Sequence, residues 1–551
     1  MDCNFNSLEF APWQTGAAFN AYHTYSFVNN SVFYSMIPSY YREFMKRYVQ
    51  NPLWWNDGWV PYFHNQDKGI LSTRLAGAIV DRVARKVAGS RIMYKNVGEL
   101  KDDKGSNVTR NFIADWAERV RFESALKRGI KYAAAGGTAL LKTNKNADGD
   151  LWVESLRFDR FMPTVDAATG LVRDVKCYLN FVIDESKSKD GERTGAYCLI
   201  EHRYFGEYTT VTGEVIKNAA LVEYEVSRAY GSITNGEFVG NSCERIKWVN
   251  LPDKIRKAFK DNYGTVRLDE PILMPFKDWL GCELMNWTDG ITGMPGMPFG
   301  ESLILKAIPF LQEYDYLTSV YGTEMYLGRA RVMLSQGLDS GNNRAGLAGG
   351  WDSALNDQAF VRTPSVNPED DKPLPIQFEI RSEALAKMRN NLLEAIAVNV
   401  GISPSTLAPF LQDSSARTAR EVSTEENETA GFVADTRSVL ETAINATLKH
   451  ICEYYRALHP ELLDTVGIRW SQAGLSNPYM TTEMMTQQYN AGLISLKGAI
   501  SALNPDEDEA QIDKLVEEAK ADAMGHADFN TQDYFGVEND NETVEPAGDN
   551  A

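Results

Sequence analysis

A chain of 551 residues with 43% hydrophobic, 24% charged and 11% aromatic residues buries a large core and divides, by size alone, into roughly two to four domains. That excludes a small stapled module and a largely disordered chain. The net charge of −19 is uneven: residues 501–551 hold 15 Asp and Glu against 2 Lys, or −13, which leaves −6 for the first 500. A body this close to neutral argues against tight phosphate binding, because that affinity comes mainly from Lys and Arg displacing counterions.

Six cysteines, Cys3, Cys177, Cys198, Cys243, Cys282 and Cys452, show no C-x-x-C spacing and read as reduced thiols. The opening MDCNFNSLEFAPWQ has no basic segment followed by an apolar one, and no apolar run approaches the ~20 residues that span a bilayer. A soluble protein without a secretory signal is expected.

Residues 1–66 are aromatic-rich and suit an arm that packs on another surface, although Trp54 and Trp55 beside acids also suit stacking on sugar rings. From Gly69, the apolar residues Leu71, Leu75, Ile79, Val83 and Val87 recur every four positions and predict a helix that Gly89 closes. RIMY then reads as a strand, FESALKRGIKYAAAGG as a second helix, and TALLKTN and LWVESLRF as strands around an Asp148-Gly149 turn. Strand patterns continue through LVRDVKCYLNFVID, YCLIEHRYFG, YTTVTGEVIK and AALVEYEVSR, giving an α+β region with a long antiparallel meander.

Near residue 290 a Gly/Pro/Met loop leads into residues 302–328, a predicted long helix kinked by Pro309. Three short strands, RARVML, QAFVRTP and LPIQFEIR, follow within 329–381. The next helix, 382–400, opens on Ser382 as N-cap and carries Leu385, Met388, Leu392, Ile396 and Val400 on one face. After the irregular stretch 401–416, a helix from about Ser415 to Leu458 is expected, with Val422, Phe432, Leu440, Ile444, Leu448 and Ile451 buried. Shorter helices come last, including one with Asn504 as N-cap, Pro505 at its first position and Glu507 three residues past the cap. Residues beyond Gly525 are polar, acidic and aperiodic, which predicts disorder.

No phosphate loop, zinc-protease, nucleophile-elbow or dinucleotide fingerprint occurs. The histidines, His23, His64, His202, His450, His459 and His526, have no partner at ligand spacing and read as structural or exposed. GMPGMPFG lacks the lysine of a nucleotide loop, and its prolines remove amides that would donate to phosphate. The paired acids Asp370-Asp371 and Glu425-Glu426 read as solvated faces, with nothing to bring two carboxyls together as in a glycosidase. Arg417 and Arg420, and Lys387 and Arg389, form small basic steps that suit either an ordinary amphipathic surface or weak contact with a phosphate backbone.

The order of parts, α+β region, long helix, small β insertion, long helix, irregular loop, very long helix and helical C-terminus, resembles the portal proteins of tailed double-stranded DNA bacteriophages, of the siphophage type. AGAIVDRVARKVAG is similar to the family's early wing helix, and the stretch from ALKRGIKYAAAGG to GLVRDV to its next helix and hairpin. VGISPSTLAPF with SSARTAREVSTEENETAGFV resembles the segment before the family's long helix, and YNAGLISLKGAISALNPDEDEAQIDKLVEEA its crown. The resemblance covers about residues 65–525. Arg417-Thr418-Ala419-Arg420 departs from the common pattern, so the loop's position carries over and the role of each side chain does not.

The resemblance implies an N-terminal arm at 1–66, a wing at 67–301, stem helices at 302–328 and 382–400, a clip at 329–381 and a tunnel loop at 401–416. It further implies a long wing helix and return at 417–477, a crown at 478–525 and an acidic tail at 526–551. Its tunnel-loop and DNA-facing residues would be Ser403, Pro404, Leu407, Phe410, Leu411, Gln412, Ser414 and Arg417, with Leu407, Phe410 and Leu411 packing loop against loop. Lys387 and Arg389 would face the channel wall, and Arg331, Arg344, Trp351 and Arg362 would dock partners at the clip. The implied function is a non-enzymatic ring of twelve at one capsid vertex, assembled in the host cytoplasm and carried in the virion. Double-stranded DNA would pass through it without sequence specificity. Its partners would be the terminase large subunit, head-completion or adaptor proteins, and major capsid and scaffold proteins, with no membrane and no cofactor. The alternatives are an acidic carbohydrate-active enzyme using Trp54 and Trp55, or a helical scaffold or adaptor that forms no ring.

Overall fold

The structure, a computed structural model, describes residues 73–97, 103–146, 149–166, 171–184, 194–234, 237–263, 270–290, 298–327, 331–335, 360–363, 374–376, 381–404, 406–407, 419–471, 478–504 and 511–521. The chain divides into two units, Met1–Arg469 and Trp470–Ala551. The mixed α+β class expected from the sequence is what the first unit shows.

Helix α1 (Leu75–Ala88) buries Leu75, Ile79, Val83 and Val87, the four-residue recurrence read from the sequence. Gly89, at φ 69°, ends it with its N–H on the Arg85 carbonyl. The helix opens at Leu75 rather than near Gly69, and Leu71 lies outside the described residues. After β1 (Ile92–Val97) comes a helix the sequence reading missed, α2 (Asp103–Arg119). Its Trp116 is fully buried and donates from Nε1 to the Leu151 carbonyl at 2.9 Å. Then α3 (Phe122–Gly136) runs into β2 (Thr138–Lys145) and β3 (Leu151–Arg157). The β2–β3 pair is antiparallel, with Gly149 at φ 94° in its connection as the Asp148-Gly149 signal predicts.

β10 (Cys282–Asn286) joins that hairpin in the order β10-β2-β3. The meander is a second sheet, β4 (Phe161–Val165), β5 (Val172–Asp184), β6 (Thr194–Thr209), β7 (Val215–Thr234) and β8 (Glu237–Ile246), antiparallel in chain order, with the short β9 (Ile272–Leu273) on β7. Side chains alternate along a strand, so β6 feeds two cores. Ala196, Cys198 and Ile200 join Leu140 of β2 and Cys282 of β10, whereas Tyr197 and Leu199 join Leu251 together with Ile255 and Phe259 of α4 (Asp253–Tyr263).

The predicted kinked helix at 302–328 is corrected. A 3₁₀ turn, Leu305–Ala307, precedes α5 (Ile308–Leu327), so Pro309 falls in the first turn, where its missing N–H would be unpaired anyway. The three predicted strands are β11 (Arg331–Ser335), β12 (Phe360–Thr363) and β13 (Leu374–Ile376), in the order β12-β11-β13 with the first pair parallel and the second antiparallel.

Helix α6 (Ser382–Val400) spans the predicted residues, but Arg381 is its N-cap and Ser382 is already helical. Its buried stripe is Leu385, Leu393, Ile396, Ala397 and Val400; Met388 is 52% exposed and Leu392 only half-buried. The stripe is rotated because Arg389, one position on from Met388, finds two tyrosines on α5.

Helix α7 (Ala419–Leu458) has 40 residues, about 60 Å at 1.5 Å per residue, and opens four residues after Ser415. Leu440, Ile444, Leu448 and Ile451 are buried as expected; Val433 takes the place given to Phe432, which is half-buried against Gly401, and the Val422 side chain lies outside the described residues. β14 (Thr465–Trp470) then pairs with β1.

In the second unit α8 (Pro478–Asn490) and α9 (Leu496–Leu503) are followed by α10 at 511–521. Ser495 caps α9 by accepting the Gly498 N–H at 3.0 Å. Asn504, predicted to start the next helix, closes α9, its N–H and Nδ2 both donating to the Ile500 carbonyl, and the start of α10 lies outside the described residues. Pro505 and Glu507 lie outside the described residues.

Candidate functional site

Helices α5 and α6 pack against each other and bracket the small β12-β11-β13 sheet in sequence. Helix α5, IPFLQEYDYLTSVYGTEMYL, contains three acids and no Lys or Arg, and its apolar residues lie on every side. Ile308, Leu311, Tyr314 and Leu317 are buried, yet Tyr316 is 52% and Met325 45% exposed. Two arginines of the second helix fasten the pair. Arg381 makes an ion pair with Glu324. Arg389 donates from Nη2 to the Tyr314 hydroxyl at 3.0 Å, with its guanidinium 5.3 Å from the Tyr314 ring centroid and 5.9 Å from that of Tyr321. Arg389, half-buried, therefore joins the two helices, and Lys387 is exposed.

The segment after α6 folds back on α7. Gly401, at φ 83°, donates to the Ala397 and Val398 carbonyls, and a Cβ there would meet the Phe432 ring at 3.2 Å. The Ser403 N–H donates to Thr429 Oγ1 at 3.0 Å, and the Thr406 and Thr429 hydroxyls share a bond of 3.3 Å. Ser403 and Leu407 are each 1% exposed. Neither faces a channel nor packs loop against loop; both belong to the chain's own core, and Pro404 is half-buried. Phe410, Leu411, Gln412, Ser414, Arg417, Arg344, Trp351, Trp54, Trp55, Asp370 and Asp371 lie outside the described residues. Arg331 sits on β11 opposite Ile376 and Arg362 on β12 opposite Leu334. Arg420, Glu425 and Glu426 lie on α7.

A buried charge network between the β10-β2-β3 sheet and the six-stranded sheet was not foreseen. Lys142 Nζ on β2 meets Glu201 Oε2 at 3.0 Å and Glu154 Oε1 at 2.6 Å. Arg203 Nε meets Glu201 Oε1 at 2.6 Å, while its two Nη atoms reach the carbonyls of Thr143, Leu280 and Gly281 and Asn144 Oδ1. Burial pushes the Glu201 carboxyl up, and Arg203 and Lys142 overcome that to hold it down at about 2. Lys142 stays charged although burial opposes it, because Glu154 and Glu201 more than compensate. The signal in sequence was a charge inside an apolar strand, as in ALLK and LIEHR. The polar atoms are bonded to one another, so the network suits joining two sheets rather than chemistry on a substrate.

Two other carboxyls are pushed up by burial. Glu283 rises to about 7 although it accepts from Trp279 Nε1 at 2.8 Å, and Asp315 rises to about 6. Trp279 also stacks on His450 at 4.6 Å, and His202 meets Asp174 at 2.6 Å, so both histidines have structural contacts. Cys177, Cys198, Cys282 and Cys452 are buried thiols in no disulfide. Among the described residues no group of three His, Cys, Asp or Glu suits a metal ion, and no helix is long and apolar enough to cross a membrane. No family model and no curated protein matches the chain.

Proposed function

We propose that this chain is a portal protein of a tailed double-stranded DNA bacteriophage, a non-enzymatic subunit that closes into a ring of twelve at one capsid vertex of the virion. The observation that carries the reading is α5: a helix apolar on every side is normally buried all round, yet here its Tyr316 and Met325 are open in the single chain. Neighbouring copies in a ring would cover it, through heterologous contacts whose fixed rotation closes the assembly.

The packed helix pair α5 and α6, bracketing the clip at 329–381 as a stem would, supports the same reading, as does a body near neutrality through which a duplex slides. The wing is 67–301, the long wing helix and return 417–477, and the crown 478–525. The clip would receive the terminase large subunit and later the head-completion proteins, and capsid and scaffold proteins would surround the wing. The part of the 401–416 loop free to reach DNA narrows to the residues after Leu407. Deleting 408–416 in an infectious clone is expected to leave ring-bearing capsids that fail to package or retain DNA. Full heads with normal retention would contradict the tunnel-loop assignment.

A further inference from the structure

Asp315 is a buried acid with a sparse set of partners. It lies on α5, 3% exposed, and Oδ1 accepts both the backbone N–H of Thr73, at 3.0 Å, and the Thr73 hydroxyl. Thr73 lies two residues before α1 and 242 positions away in sequence, so these two bonds tie the start of α1 to α5. The charged groups on the elements concerned are Arg74 at the α1 N-cap with Asp81, Arg82, Arg85 and Lys86 along α1, Glu313 and Glu324 on α5, and Glu383, Lys387, Arg389 and Glu394 on α6. Arg389 is bonded to Tyr314, and Glu324 to Arg381. None of these charges moves the Asp315 carboxyl. Burial raises it to about 6, and only the two Thr73 bonds pull it back.

We propose that Asp315 and Thr73 form a proton-sensitive clasp between α1 and α5, tight when Asp315 is protonated and looser when it is ionised. The hydroxyl of Thr73 allows this, because it donates to a carboxylate and equally accepts from a carboxylic acid, so the clasp keeps two bonds in either state. The difference lies in the buried charge, which gains hydration when the clasp opens. Opening is thus favoured above the closed-state value near 6 and resisted as pH falls toward the free carboxyl's 3.8. The clasp lies within one chain and does not depend on the portal reading.

Hydrogen exchange of the amides at 74–80 in the full-length protein, corrected for intrinsic rates, tests it from pH 5 to pH 8. The opening constant is expected to rise about tenfold across that range. In Asp315→Asn, an uncharged isostere, it is expected to be flat. Thr73→Val, which keeps the N–H bond and loses the hydroxyl, is expected to exchange faster at every pH with the pH dependence retained. A flat wild-type profile, or the same tenfold rise in Asp315→Asn, would overturn the proposal. A ring that forms normally alongside a flat profile would separate its failure from that of the portal reading.

Discussion

Arg389 of α6 lies over the ring of Tyr314 of α5 and donates to the same residue's hydroxyl at 3.0 Å, so one guanidinium makes two kinds of contact with one side chain. Arg389→Ala is expected to destabilise the helix pair by about 2 kcal/mol, from the lost charge-assisted hydrogen bond and cation–π contact. Tyr314→Phe keeps the ring and loses the hydroxyl, so about 1 kcal/mol is expected. Arg389→Lys should fall between wild type and alanine, because an ammonium lacks the planar face and fork. Denaturant titration of the three variants gives the order, and equal losses for Ala and Phe variants would argue against the stacking contribution.

The glycines at 137 and 300 meet backbone to backbone. A Cβ on Gly300 would stand 2.5 Å from the Gly137 carbonyl oxygen, and one on Gly137, at φ 86°, 2.2 Å from that of Gly300. Neither obstacle is a flexible side-chain tip, so Gly300→Ala and Gly137→Ala should each cost about 2 kcal/mol or more and lower the Tm. Gly213→Ala meets nothing within 4 Å and carries only the strain of its φ of 86°, so it should cost clearly less.

Glu201 and Glu283 should give pH dependences of opposite sign. Glu201, held down at about 2 against a free value of 4.5, contributes stability that is complete above 4.5 and lost as pH falls toward 2. Glu201→Gln leaves Lys142 and Arg203 short of a counter-charge and should cost about 3–5 kcal/mol at neutral pH. Glu283, raised to about 7, costs stability when ionised, and that penalty disappears as pH falls from 7 to 4.5. Glu283→Gln is therefore expected to melt higher than wild type at pH 8 and level with it near pH 4.5. Thermal melts across pH 3–8 read both, and a Glu283→Gln gain that grew on acidification would contradict the sign.

Legibility in the sequence followed how local the determining physics was. Leu75, Ile79, Val83 and Val87 announced α1 because a four-residue recurrence is a property of the segment itself, and Gly149 announced its turn for the same reason. Helix α2 was missed because Gly105, Ser106, Asn107, Val108 and Thr109 are poor helix formers, and tertiary burial of Ile113 and Trp116 accompanies it. The Pro309 kink failed on a boundary of a few residues, which changed a helix breaker into a first-turn residue. Ser403 reads as part of an open loop because its partner Thr429 lies 26 positions away, and Lys142, Glu201 and Arg203 meet only once two sheets have stacked.

Ring closure is read out by mass photometry with negative-stain imaging of the purified full-length protein. Twelve copies of a 61.7 kDa chain give about 740 kDa, and such a species with ring-shaped end views and an open centre is the predicted result. Single 61.7 kDa particles at every concentration, even with capsid and scaffold proteins present, or open filaments, would contradict it.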